Sequence, residues 1–123
     1  MTGRTHPELR ATPADTASFA RRHPRVPYQR TTFGLCVSPL GIGTYLGDST
    51  DADDGAYVKS IVRSIESGIN VIDTALNYRS QRSERAVGSA IRQAIQGGSA
   101  ERSQLVVSSK AGYIPLDTNP PGS

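Results

Sequence analysis

The chain has 123 residues, a net charge of +3 and a single cysteine. This length suits one small domain or a piece of a larger one, and a lone cysteine excludes an internal disulfide and fits a reducing compartment. The sequence has no run of about 18 apolar residues that could span a membrane and no hydrophobic segment typical of a secretion signal near its start. We therefore expect a cytoplasmic protein.

Residues 1–29 are predicted to be an N-terminal extension rich in proline and arginine, and residues 30–123 the body of the domain. Residues 1–30 contain six arginines against two acidic residues, whereas the remainder is close to neutral. A nucleic-acid footprint needs basic residues clustered on a structured element, and these arginines lie among prolines. We interpret them as a solvated tail and do not expect nucleic-acid binding. A short helix could start around Pro13 and run to Arg22.

Beyond this extension, strand-like and helix-like patterns alternate along the chain. Runs 30–33 and 35–38 around Gly34 give a weak hairpin signal. The next elements are a strand at 40–45, an aspartate-rich loop at 47–55, a helix from 57 to about 66, a strand at 69–73, a helix from 83 to 96 and a strand at 105–110. This order predicts parallel, right-handed βαβ units. Because the last strand would be an open edge, we expect a fragment of a larger sheet.

Two opposite charges follow neighbouring strands of the predicted sheet. Asp73 ends the strand at 69–73, and Lys110 ends the next strand. Adjacent parallel strands lie about 5 Å apart, so we expect an ion pair at their carboxyl ends, although Asp73 alone could equally be a capping residue. Tyr78, on the loop between these two strands, could place its hydroxyl near the Lys110 ammonium group. A nearby cation stabilises the phenolate form of tyrosine and so lowers the pKa of its hydroxyl, which prepares the residue for proton transfer.

Other kinds of site are less well supported. Gly41, Gly43 and Gly47 suggest a Rossmann phosphate loop, but that motif needs a helix to start at the glycines. Here an acidic loop follows them, and its carboxylates would repel phosphate. Cys36 is interpreted as a small apolar residue. Both histidines lie within the extension, and no cluster of His and Cys suggests a metal site.

Several short motifs follow one another along the chain. They are Leu-Gly-Ile-Gly-Thr-Tyr at 40–45, Gly-Ile-Asn-Val-Ile-Asp-Thr-Ala at 68–75, Tyr78, Ser83-Glu84 with Val87-Gly88, and Val106 to Lys110. Taken together, these motifs resemble those of the aldo-keto reductase family. The resemblance implies an α/β fold, here an incomplete (β/α)₈ TIM barrel with an N-terminal hairpin and about three βα units. It also implies that NADP(H) binds at the carboxyl ends of the strands, and that the substrate is a small carbonyl compound or a sugar.

By the same resemblance, Tyr78 would be the general acid that protonates the carbonyl oxygen as hydride arrives. Lys110 would stabilise the phenolate, and Asp73 would pair with Lys110 and touch the nicotinamide ribose. The residues expected to border the nicotinamide and the substrate pocket are Gly43, Thr44 and Tyr45.

The sequence departs from the family pattern in two places. The family usually has glycine after the tyrosine, where this chain has Arg79. Together with Arg82 and Arg85, this residue would either favour an anionic substrate or form surface ion pairs. The family's catalytic histidine follows a fourth strand that lies beyond this sequence, so we expect negligible turnover from the chain alone. The alternative is a non-catalytic truncated fragment or association module. Substrate, reaction direction, NADP against NAD, and oligomeric state stay open.

Overall fold

The computed structural model describes residues 9–111, which form a mixed α/β structure. The proline- and glycine-rich segment from residue 115 and His6 lie outside the described residues. Between residues 9 and 111, no helix is both long and apolar enough to cross a membrane. The helices and strands, in chain order, are α1 (Pro13–Arg21), β1 (Gln29–Arg30), β2 (Cys36–Val37), β3 (Ile42–Gly43), α2 (Asp51–Glu66), β4 (Val71–Asp73), α3 (Arg82–Gln96), a 3₁₀ turn (Arg102–Gln104) and β5 (Val106–Ser108).

Helix α1 begins as predicted, but it is not part of a solvated tail. The Thr12 hydroxyl accepts a hydrogen bond from the Asp15 amide at 3.1 Å, and Pro13 occupies the first turn. Phe19 is fully buried in the hydrophobic core, and the Tyr28 hydroxyl donates to the carbonyl of Gly68. The tail interpretation is therefore wrong for the described part of the extension, because an aromatic side chain on α1 fills the core.

The predicted hairpin and the predicted parallel sheet are both present. Strands β1 and β2 pair antiparallel, with Gly34 in a left-handed turn between them (φ 87°). Strands β3, β4 and β5 pair in that order and all run parallel. Gly43 is in register with Asp73, and Asp73 with Ser108, so the three strands end at one level. The described residues form an open sheet, and no closed barrel is present among them.

Helix α2 starts earlier than the sequence pattern indicated. The Thr50 hydroxyl caps it by accepting a hydrogen bond from the Asp53 amide at 3.2 Å. The predicted loop at 47–55 is thus wrong from Asp51 onwards, because the aspartates form the first turn of the helix. Acidic side chains are favoured there by the positive end of the helix dipole.

Helix α3 covers the sheet together with α2. Its buried stripe, including Ala90 and Ala94, faces the core as the periodicity predicts, except that Ile95, predicted on the same stripe, is exposed. The core also contains the central residue of β4, Ile72, and Leu105 directly before β5. The remaining members of this buried cluster are Phe19, Ile61, Ile65, Val87, Ile91 and Ala100.

Candidate functional site

The carboxyl ends of β4 and β5 bring Asp73 and Lys110 together. The Lys110 ammonium donates to Asp73 Oδ1 at 2.7 Å and to the Thr74 carbonyl at 2.8 Å. Both side chains of the ion pair are about half exposed, 48% and 50% respectively. The hydrogen bond to Asp73 is the largest influence on Lys110 and, against a smaller desolvation effect, raises the pKa of the lysine above its ordinary value. The predicted ion pair is present in the structure.

Tyr78 lies on the loop after β4, beside this pair. Lys110 Nζ is 5.4 Å from the centroid of the Tyr78 ring, and the phenol contributes to raising the pKa of Lys110. Tyr45 contacts the Tyr78 ring edge-on, with the centroids 5.2 Å apart and the planes at 75°. The structure thus places the phenol, the ammonium and the carboxylate in one cluster.

The last residue of β3, Gly43, and the two residues that follow it occupy three different environments. A Cβ on Gly43 would meet no atom within 4 Å, so this strand end faces open space. Thr44 is fully buried, and its hydroxyl donates to the Asp73 carbonyl at 3.0 Å. Tyr45 is 66% exposed and forms a wall beside Tyr78. Thr44 therefore connects β3 to the acidic end of β4, and Tyr45 borders open space.

Two residues at the start of α3 hold the site together, a role that sequence reasoning missed. The Ser83 hydroxyl, fully buried, donates to the Thr44 carbonyl at 2.6 Å. The Ser109 hydroxyl donates to the Glu84 carboxylate. The helix start is thereby joined to the strand end on each side of Asp73. The Ser-Glu pair was visible as a helix-start signal, but no local pattern indicates the distant strands as its partners.

The glycines at 41–47 have structural explanations. A Cβ on Gly41 would approach the Val71 side chain and carbonyl to 3.1 Å, so glycine permits close pairing of β3 with β4. Gly47 has a left-handed backbone (φ 106°), and a Cβ there would lie 3.0 Å from an Asp53 carboxylate oxygen. A carboxylate in this position opposes phosphate binding, which argues against the Rossmann alternative.

The Arg79 guanidinium is buried and paired with a carboxylate, so it is not available to bind an anionic substrate. Its side chain is 1% exposed and pairs with Asp54 at 2.5 Å. Arg82 pairs with Asp54 and Asp51 at 2.6 and 3.1 Å. The ion-pair alternative is thus confirmed for Arg79 and Arg82, although Arg79 is buried. Between residues 9 and 111, no three His, Cys, Asp or Glu side chains are grouped to hold a metal ion.

These observations define an α/β protein whose polar cluster stands at the carboxyl ends of parallel strands. The model of the aldo/keto reductase family matches residues 39–122. The chain belongs to the aldo/keto reductase family, as its motifs suggested.

Two curated relatives are similar over much of the chain. A chloroplastic pyridoxal reductase of Arabidopsis thaliana is 34% identical over an alignment of 101 residues, and the match covers 72% of this chain and 27% of the relative. The 2,5-diketo-D-gluconic acid reductase B of a Corynebacterium species is 34% identical over 87 residues, 71% of this chain and 27% of the relative. The chain thus spans about a quarter of the length of these relatives.

Proposed function

We propose that this chain is part of an NADP-dependent oxidoreductase that interconverts an aldehyde or ketone and an alcohol. Residues 30–123 would form the first part of a (β/α)₈ barrel, and the N-terminal extension would pack against it through α1. Family membership and the similarity to a pyridoxal reductase and to a 2,5-diketo-D-gluconic acid reductase support this proposal. The substrate would be a small carbonyl compound or a sugar.

The observation that supports the chemistry best is the position of Lys110 between Asp73 and Tyr78. In the proposed reaction Tyr78 donates its phenolic proton to the substrate's carbonyl oxygen. The Lys110 ammonium stabilises the phenolate that remains. Asp73 holds that ammonium by a 2.7 Å hydrogen bond, which keeps it charged and oriented. General acid catalysis of this kind contributes about 10²–10⁴-fold to a rate.

The strand ends described here fit one part of a nicotinamide cofactor. Open space next to Gly43 gives room for a flat ring. The exposed face of Asp73 offers an acceptor for a ribose hydroxyl, and Tyr45 forms an exposed aromatic wall. When bound, the cofactor would supply the hydride. Gly43, Thr44, Tyr45 and Asp73 are the residues that we propose line its nicotinamide end, Thr44 by supporting the backbone of Asp73.

The experiment that tests this proposal transfers the residues matched by the family model into one of the relatives. Residues 39–122 would replace the matching segment of the diketogluconate reductase, and oxidation of NADPH and of NADH would be followed with 2,5-diketo-D-gluconate. We expect a chimera that turns over, and a Tyr78→Phe chimera whose kcat is lower by at least about 100-fold. Arg63→Lys, at an arginine that is 80% exposed, is the matched control and should leave kcat unchanged.

Two results would contradict the proposal. One is a chimera with a native circular dichroism spectrum and no turnover. The other is a Tyr78→Phe chimera as active as its parent. For residues 1–123 alone we expect negligible turnover. The chain contains the Tyr-Lys-Asp cluster but spans only about a quarter of the length of the relatives. The non-catalytic alternative and the cytoplasmic location stay predictions.

A further inference from the structure

The turn directly after Tyr78 has an unusual backbone. Arg79, Ser80 and Gln81 all have left-handed conformations, with φ values of 51°, 55° and 72°. Residues other than glycine rarely adopt this region, and runs of it are rarer still. Such a segment persists only when its surroundings hold it in place. The contacts that hold it are therefore informative about the position of Tyr78.

The Arg79 side chain supplies the strongest of these contacts. Its guanidinium donates through Nε to the Asp48 carbonyl at 2.9 Å and through Nη2 to Asp54 Oδ1 at 2.5 Å. It also lies over the Tyr57 ring, 5.0 Å from the centroid. With the side chain only 1% exposed, water does not compete for these bonds. A planar, forked cation is thus enclosed by the loop after β3 and the first turns of α2.

The same loop is held at two further points. The Tyr57 hydroxyl donates to the Leu46 carbonyl at 2.5 Å, and the Asp48 amide donates to Asp53 Oδ2 at 2.6 Å. Asp54 also accepts from Arg82 at 2.6 Å. Burial opposes ionisation of Asp54, but the hydrogen bonds from the two arginines outweigh it and lower the pKa of this carboxyl. The carboxylate is therefore charged at neutral pH and available to both.

Arg79 consequently joins the two loops whose aromatic residues meet at the site. Tyr45 stands one residue before Leu46 on the first loop, and Tyr78 stands one residue before Arg79 on the second. We propose that Arg79 is a positioning residue that fixes the Tyr78 ring against Tyr45 by clamping residues 46–54 onto the left-handed turn. Its catalytic meaning rests on the function proposed above, whereas the clamp itself does not.

A competing explanation is that Arg79 merely tolerates the turn. Glycine adopts φ near 51° without steric cost, so on that explanation Arg79→Gly would preserve or improve the local structure. On the clamp explanation the same substitution relieves the backbone and still releases the loop. Arg79→Lys separates charge from geometry, because an ammonium cannot reproduce the planar fork that reaches Asp48 and Asp54 together.

The test uses the isotope-labelled 123-residue chain without cofactor or substrate. Its readout is the nuclear Overhauser effect between the assigned Tyr45 and Tyr78 rings. We expect this signal to fall at least about twofold in Arg79→Gly and in Arg79→Lys, because neither side chain can form the fork. The Arg63→Lys control, at an exposed arginine of α2, should retain it.

Full retention of the ring contact in Arg79→Gly would overturn the proposal. Should that variant fail to fold, Asp54→Asn decides, since it keeps the shape of the acceptor and removes its charge; an unchanged ring contact there would also overturn it. In the chimera, Arg79→Lys should lower kcat more than it changes KM. If the ring contact depends on Arg79 in the 123-residue chain but the chimera is inactive, the proposed reaction is rejected and the positioning role of Arg79 is retained.

Discussion

At the scale of single residues, the ionisation of Lys110 depends on one neighbour more than on any other. The Asp73 hydrogen bond raises the pKa of Lys110 above the ordinary lysine value of 10.5. A raised pKa means that folding favours the protonated form. As the pH rises, the stabilisation by protonated Lys110 is therefore retained up to about pH 10.5 and is lost as the pH passes through the raised pKa of Lys110. At neutral pH the ammonium is fully available to Tyr78.

The substitution Asp73→Asn tests this dependence. An asparagine keeps the size of the side chain but removes the negative charge, so we expect the pKa of Lys110 to fall. The chain contains only two lysines, Lys59 and Lys110. An NMR titration of their side-chain signals therefore measures Lys110 with Lys59 as an internal reference. A Lys110 midpoint that stays where it is in the parent chain would show that Asp73 does not control it.

At the scale of elements, Asn70 joins three parts of the fold that are distant in sequence. It is fully buried directly before β4. Its side-chain amide donates to the carbonyls of Cys36 and Gln104, at 2.9 and 3.2 Å, and its oxygen accepts from the Ser38 amide at 2.9 Å. These bonds connect the hairpin, the 3₁₀ turn and the sheet. Few other side chains offer donors and an acceptor in this arrangement.

We therefore expect Asn70→Asp to be strongly destabilising. The carboxylate has the same shape but cannot donate to the Cys36 and Gln104 carbonyls, which would be left buried without their partner. The expected loss in the free energy of unfolding is about 3–5 kcal/mol, from two orphaned acceptors and a buried charge. Asn77→Asp makes the same chemical change in a partly buried loop position and should cost less than about 1 kcal/mol. Equal losses in urea unfolding would contradict the role given to Asn70.

The elements differ in how far their sequence predicted them. Helix α3 and the end of β4 at Asp73 followed from local patterns, because each element buries one face and meets solvent at a charge. The predicted strand end at Lys110 is wrong by two residues, since β5 ends at Ser108. The first turn of α2 did not, since aspartates favour loops and helix starts alike and only the Thr50 cap decides between them. The sequence also did not predict that Asn70 and Ser83 join distant elements, or that Arg79 is buried and clamps the loop after β3. Their partners lie about 25–40 residues away in the chain, at distances that no local pattern encodes.

At the scale of the whole molecule, the described residues before β1, 9–28, contribute to the core. The Thr16 hydroxyl accepts from the buried Cys36 amide at 3.0 Å, and the Thr12 amide donates to the Ser103 carbonyl at 3.1 Å. Arg22 donates to the carbonyls of Gly98 and Ser99 in the turn that follows α3. Helix α1 and its flanking residues thus contact the hairpin, the 3₁₀ turn and the turn after α3. The arginine content of residues 1–30 led to the prediction of a solvated tail, but a count of charges does not reveal that Phe19 lies on a buried face of α1.

The two phenylalanines of the chain test this packing directly. Phe19 on α1 is fully buried, whereas Phe33 in the hairpin turn is 87% exposed. Replacing a buried phenylalanine by alanine removes its burial energy and leaves a cavity, so Phe19→Ala should lower the free energy of unfolding by about 3–5 kcal/mol. Phe33→Ala should change it by no more than about 0.5 kcal/mol. Urea unfolding followed by circular dichroism measures both. Equal stability of the two variants would mean that α1 does not share the core in solution, because a solvated tail would make both positions equally tolerant.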